Sequence, residues 1–188
     1  MHIEKTDFPG LVVITPQVFE DERGFFTEFY NRREFERAGI KAVFVQDNHA
    51  LSRRKGVLRG LHLQIPPAAQ AKLVRVTQGS VYDVVVDLRA GSPTRGKWFG
   101  TVLSASNFRQ MFIPEGFAHG YQVLEKDTEF MYKVSAFYSP EYERGIYFAD
   151  PDLGIDWPLT DPILSGKDKG LPTYHEFNSP FAWGGARA

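Results

Sequence analysis

A series of short, evenly spaced alternating segments fills the middle of the chain and narrows the choice of fold class. Leu73-Val74-Arg75-Val76, the turn Thr77-Gln78-Gly79-Ser80 and the stretch from Val81 to Leu88 read as a β-hairpin, since strand side chains alternate between two faces and Gly79 suits the turn. Trp98 to Leu103, Gln110 to Ile113, Tyr121 to Leu124 and Glu129 to Phe137 follow, rich in β-branched and aromatic residues and separated by Gly, Pro, Asn or Asp. Regular short strands of this kind predict an all-β sandwich or barrel. One peripheral helix is expected where Asn31 caps a segment through Phe35 and Arg37 that stops at Gly39. Beyond Pro151, the residues Pro158, Pro162, Pro172 and Pro180 keep interrupting any regular element, so the C-terminal part reads as an extended wrap with short turns.

The 188 residues, 43% of them apolar, fit one domain spanning 1–188 with a core of its own. With 22 basic and 23 acidic residues the net charge is -1, which gives no electrostatic footprint for nucleic acid or an anionic membrane. Any bound anion has to be held locally. The absence of cysteine excludes disulfides, a thiolate nucleophile and zinc–thiolate sites. The start, Met1-His2-Ile3-Glu4-Lys5-Thr6-Asp7, lacks the basic and then apolar segments of a secretory signal, and no apolar run approaches a membrane span, so a cytoplasmic location is expected.

The chemistry centres on Gly56, His62-Leu63-Gln64, Lys72 and Gly79, followed by Pro114-Glu115-Gly116-Phe117-Ala118-His119. This spacing resembles the metal-ligand pattern of cupin-type barrels, in which Gly, five residues, His-X-His, a downstream Glu and Gly precede Pro-X-Gly-X-X-His. Here Gln64 replaces one imidazole and Lys72 stands about where the carboxylate belongs. An ammonium group only donates hydrogen bonds; it cannot complete a divalent-metal site, but it can stabilise an anion that a metal would otherwise hold. No metal is therefore expected, and the residues point to acid/base chemistry on a carbonyl compound.

By strict alternation Leu58, Gly60, His62 and Gln64 share one strand face, so His62 can point into a barrel beside the space left by Gly60. A lone histidine there is as a rule a hydrogen-bonded core residue. Arg59, Gln64 and Lys72 shift the balance towards a functional pocket, because so many polar groups suit no ordinary core. Arg59 itself faces the other way unless Gly60 introduces a bulge. Arg23 and Glu28 can hold a phosphate and a hydroxyl or ring N–H, or can form surface salt bridges. Tyr132 shares a strand face with Phe130 and Val134, which favours packing, yet a protonated phenol can also donate a proton while a neutral imidazole accepts one. Asp168 reads either as a loop cap or as the group that orients His62, and Asp83 stands in the same relation to His119.

Val57 to Gln64, Lys72 to Val76, Asp83 to Arg89 and Ile113 to Gly120 closely resemble the dTDP-4-dehydrorhamnose 3,5-epimerase family. Asp21 to Phe26, Phe44 to His49, Glu129 to Lys133 and Gly154 to Leu159 extend the resemblance over nearly the whole chain. It implies a metal-free, cofactor-free, cupin-like homodimer with a β-barrel or jelly-roll fold and a few short peripheral helices. The implied reaction inverts C3 and C5 of 4-keto-6-deoxyglucose carried on thymidine diphosphate. By resemblance His62 is the base, Asp168 its partner, Tyr132 the acid and Lys72 the group that stabilises the enolate. The same resemblance assigns Arg23, Arg59 and Lys167 to anionic or polar parts of the substrate. Glu28, Gln46, Asn48 and Glu143 go to the nucleotide, His119 to the sugar and Tyr138 to stacking on thymine. The nearest rival expectations are a C3-only epimerase or ketoisomerase on the same scaffold, and a non-catalytic nucleotide-sugar-binding barrel.

Overall fold

Gly79 marks where the local pattern and the three-dimensional arrangement part. The computed structural model describes residues 1–184 and contains thirteen strands and two short α-helices among them. In chain order these are β1 (His2–Lys5), β2 (Val12–Thr15), β3 (Val18–Asp21), β4 (Gly24–Thr27), α1 (Arg32–Arg37), β5 (Gln46–Ser52) and β6 (Leu58–Gln64). They continue with β7 (Lys72–Gln78), β8 (Ser80–Asp87), β9 (Trp98–Ser104), β10 (Gln110–Ile113), β11 (Phe117–Val123), β12 (Thr128–Val134), β13 (Glu143–Gly145) and α2 (Gly166–Lys169).

The strands form a six-stranded sheet in the order β1-β2-β10-β7-β12-β5 and a five-stranded sheet in the order β13-β6-β11-β8-β9, every ladder antiparallel. This is the expected all-β, cupin-like jelly roll. The expected β7–β8 hairpin is not formed: β7 pairs with β10 and β12, whereas β8 pairs with β11 and β9. Gly79 carries the chain from one sheet to the other. Its positive φ of 75°, together with Thr128 Oγ1 only 2.3 Å from where a Cβ would lie, leaves room for no side chain. Alternation reports which face is buried, not which strand lies alongside, so a hairpin and a crossing look alike in sequence.

The inner faces meet in a core that includes Val74, Val76, Val81, Val85, Phe117, Val123 and Phe130. On the far side of the five-stranded sheet, Leu61, Leu63, Val84 and Val86 pack under Leu153, Trp157, Tyr174 and Phe177 of the C-terminal segment. On the far side of the six-stranded sheet, Ile14, Leu73 and Phe112 are covered by Phe35 of α1 and by Ile40. Asn31 caps α1 by accepting from the backbone N–H groups of Arg33 and Glu34. The central strands of both sheets are thus covered on two faces. The small β3–β4 hairpin is different, exposing Phe19, Phe25 and Phe26 to solvent.

Candidate active site

Between the sheets lies a cavity of about 450 Å³ that mixes charged and polar side chains with apolar ones, where a sandwich core is normally apolar throughout. Its five-stranded wall carries His62 on β6 and His119 on β11, which lie directly opposite each other in the ladder. One step on, the register shifts, and Tyr121 pairs with Arg59 instead of Gly60. This is the bulge on which the direction of Arg59 depended, and it turns the guanidinium into the cavity. Gly60 and Gly120 make it possible: a Cβ on Gly60 would lie 2.5 Å from the Gly120 Cα, at a φ of 130° that disfavours side chains.

His62 Nε2–H donates to Asp168 Oδ1 at 2.6 Å. Asp168 comes from the one-turn α2, where the Ser165 hydroxyl accepts its backbone N–H. Burial pushes the Asp168 carboxyl upward, but the bond to His62, its charge and the Ser165 contact outweigh this and hold the group below the usual carboxylate range. The anion accepts from Nε2, so Nδ1 is the basic nitrogen of the neutral ring. His119 has a parallel arrangement, its Nε2 lying 3.0 and 3.1 Å from the two oxygens of the fully buried Asp83. Burial raises Asp83 and lowers His119, each opposed by the other.

The six-stranded wall supplies Lys72 from β7 and Tyr132 from β12. Lys72 Nζ donates to the backbone oxygen of His62 at 3.2 Å. Burial drives its pKa down to about 8, against the opposing pull of Asp83 and Glu143. Tyr132 is raised from its ordinary value by burial, opposed by Arg59, and so stays protonated at neutral pH. The histidine–carboxylate pair and the phenol therefore stand on facing walls.

At the mouth, Tyr138 Oη donates to Glu143 Oε2 at 2.8 Å, and Glu143 forms an ion pair with Lys167. Burial raises the Glu143 carboxyl, but the bonds from Lys167 and Tyr138 bring it below its ordinary range. Gln46 donates to Asn48 Oδ1 at 2.8 Å, and its own Oε1 accepts the Tyr138 backbone N–H at 3.1 Å.

The structure thus brings Arg59, His62, Lys72, His119, Tyr132, Lys167 and Asp168 to one cavity, with Gln46, Tyr138 and Glu143 linked beside it and Asn48 bonded to Gln46. Two of the residues singled out in the sequence are not brought there by their own chain. Arg23 sits at the exposed β3–β4 turn with its guanidinium on Asp21, and Glu28 accepts from Asn31 Nδ2 at 3.0 Å. Sequence reasoning missed Tyr121, whose ring stacks on Phe130 at 4.0 Å, and the Ile163-Leu164-Ser165 edge. Tyr121 was findable, being two residues from His119 on the same face; the tail segment carried no signal.

The sequence pattern that defines the dTDP-4-dehydrorhamnose 3,5-epimerase family matches residues 5–176. The chain belongs to this family. It is 55% identical over 169 residues to a dTDP-4-dehydrorhamnose 3,5-epimerase of Shigella flexneri, covering 89% of this chain and 93% of that one. The corresponding protein of Pseudomonas aeruginosa is 57% identical over 171 residues, covering 90% and 93%. Among solved structures, a dTDP-6-deoxy-D-glucose-3,5-epimerase of Legionella pneumophila in complex with dTDP-4-keto-L-rhamnose superposes with a TM-score of 0.92 at 45% identity, covering 97% of this chain and 98% of that one. Family members thus share its fold over almost their full length.

Proposed function

We propose that this chain epimerises C3 and C5 of dTDP-4-keto-6-deoxyglucose to give dTDP-4-keto-rhamnose, with His62 as base and Tyr132 as acid. The isomerase activity follows from the family. The assignment of roles is supported best by one observation: the His62–Asp168 pair and Tyr132 belong to different sheets and face one cavity. Inversion at a carbon needs a proton taken from one side and another delivered to the opposite side, which two facing walls provide.

A C–H next to the C4 ketone loses its proton to His62 Nδ1, and the bonding electrons move onto O4 as an enolate. Asp168 stabilises the imidazolium. Lys72 donates to the enolate oxygen, where a donor in a desolvated site contributes roughly 3 kcal/mol. Collapse of the enolate then draws the phenol proton of Tyr132 to the other face of the same carbon. The sequence repeats at the second carbon after proton exchange with solvent. Arg59, His119 and Lys167 hold polar groups of the substrate, and Gln46, Asn48, Tyr138 and Glu143 form the nucleotide end. No cofactor enters the scheme.

The chain works as a cytoplasmic homodimer in this reading. Neither Arg23, at the turn of the exposed hairpin, nor Glu28, just beyond β4, lines its own chain's cavity, while the hairpin displays Phe19, Phe25 and Phe26. A second copy that buries these rings can receive both polar residues in its site. No helix among the described residues is long and apolar enough to cross a membrane.

Incubation with dTDP-4-keto-6-deoxyglucose in heavy water, followed by NMR at C3 and C5, tests the proposal. Deuterium at both carbons with inversion is expected. Deuterium at C3 alone would assign a monoepimerase, and binding without exchange would leave a recognition module.

A further inference from the structure

Gln64 occupies the position where the metal-binding pattern has its second histidine, and its amide is fully occupied by main chain. Nε2 donates to the Ala68 oxygen at 2.7 Å and to the Phe137 oxygen at 3.2 Å, while Oε1 accepts the Ser139 N–H at 2.7 Å. Two further glutamines reach the same segment from other elements. Gln70 donates to the Ala136 oxygen at 2.7 Å, and Gln46 accepts the Tyr138 N–H at 3.1 Å. Each residue from 136 to 139 therefore has one backbone group tied to a glutamine side chain. This segment lies beyond the end of β12, where the ladder no longer satisfies the backbone.

The segment so held carries two outward aromatic rings, Phe137 at 70% and Tyr138 at 54% exposure. Rings this exposed contribute little to the fold, so four side-chain-to-backbone bonds fixing their backbone call for another reason. Tyr138 is fixed at its far end as well, through its hydroxyl on Glu143, and Glu143 in turn lies opposite Gln64 in the β6–β13 ladder. Ring, hydroxyl partner and clamp thus form one closed unit beside the cavity.

We infer that Gln64, together with Gln70 and the carbonyl of Gln46, is a positioning device that pre-forms an aromatic platform for the nucleobase, in place of the metal ligand the pattern leads one to expect at position 64. The inference rests on the placement of the nucleotide at Tyr138 in the proposed function. A platform ordered before binding spares the complex the cost of ordering a loop, so the clamp acts on affinity for the base and leaves the proton-transfer groups untouched.

The test is calorimetric titration of dTDP, and separately of inorganic pyrophosphate, into wild-type, Gln64→Leu and Gln70→Leu protein, alongside steady-state kinetics. In Gln64→Leu the Kd for dTDP and the KM rise about tenfold, the loss equivalent to roughly one net hydrogen bond, while pyrophosphate affinity and kcat hold within about twofold. Gln70→Leu moves in the same direction by a smaller factor and carries the test should the buried Gln64 variant fail to fold. Unchanged dTDP affinity in a folded variant would overturn the inference, as would equal losses for dTDP and pyrophosphate or a fall in kcat at constant KM. Wild-type protein that neither binds dTDP nor turns over would remove the functional reading itself, an outcome separate from any behaviour of the variants.

Discussion

Replacing Lys72 by methionine should make the protein more stable and nearly inactive. The ammonium is buried between the sheets, and burial drives its pKa from 10.5 to about 8. At roughly 1.4 kcal/mol per pKa unit, this amounts to about 3 kcal/mol of preference for the neutral amine in the folded state. The sign follows from proton binding. Above pH 10.5 neither the folded nor the unfolded chain protonates this lysine, and the group imposes no penalty. Between 10.5 and 8 the unfolded chain takes up a proton that the folded one refuses, so wild-type stability falls as pH drops through that window. Below 8 both states are protonated and the full cost of about 3 kcal/mol remains.

Methionine has nearly the same length and no charge to bury. Loss of the bond to the His62 oxygen takes back about 1 kcal/mol, leaving a net gain of about 2 kcal/mol at pH 7. For a chain of this size that is a rise in Tm of roughly 4–8 °C. Thermal unfolding of both proteins from pH 6 to 10 measures it: the gap should be constant below pH 8 and close as pH rises above 8. Turnover should fall by about 10²–10³ in the variant, the loss associated with removing one donor to a developing oxyanion. In the wild type, turnover should decline above pH 8 as the ammonium loses its proton. A variant no more stable than wild type at pH 7, or a stability gap that ignores pH between 8 and 10, would refute the account of Lys72 as a buried cation kept for catalysis.

Asp168→Asn should leave the fold intact but lower kcat by about 10²–10⁴, because an amide can present its N–H to Nε2 and favour the wrong tautomer of His62; 15N NMR of the imidazole would report the change. His62→Ala should abolish deuterium uptake at both carbons, whereas Tyr132→Phe should still admit deuterium from heavy water and fail to deliver it to the opposite face. Normal turnover by the His62 variant would sink the mechanism. Phe26→Asp on the exposed hairpin should shift the protein towards monomer in sedimentation and depress activity although its own cavity is unaltered. If the variant sediments as a dimer, the hairpin is not the joining element.

The sequence carried the fold class through alternation and the core of the site through motif spacing, but not the features that depend on distant pairing. Val81 to Leu88 was readable as a strand, yet its partners are β9 and β11 and not the adjacent β7, because a glycine turn serves a hairpin and a sheet crossing equally well. The face that Arg59 takes is set by the register shift opposite Tyr121, and that bulge depends on Gly120 of a strand distant in sequence. His62 and Asp168 are 106 positions apart, and only resemblance brought them together beforehand. Gln64 was legible as a missing ligand but not as a clamp, for its partners are backbone groups that any residue offers.

In the proposed reaction the placement of charge removes the need for a Lewis acid. Moving a proton from carbon to His62 creates two charges from a neutral pair, and away from bulk water each is costly unless a counterpart already stands beside it. In the proposed reaction the positive charge arises on a ring already hydrogen-bonded to Asp168, a carboxylate held ionised by that bond. The negative charge arises on O4 opposite Lys72, whose pKa of about 8 still leaves it mostly protonated at pH 7. Net charge in the cavity is unchanged by the step, and both new charges are paired as they form. A divalent ion would hold the enolate more tightly and so oppose its reprotonation. A lysine near its own titration point stabilises the intermediate less, which suits a reaction that must make and collapse the same enolate at two carbons in succession.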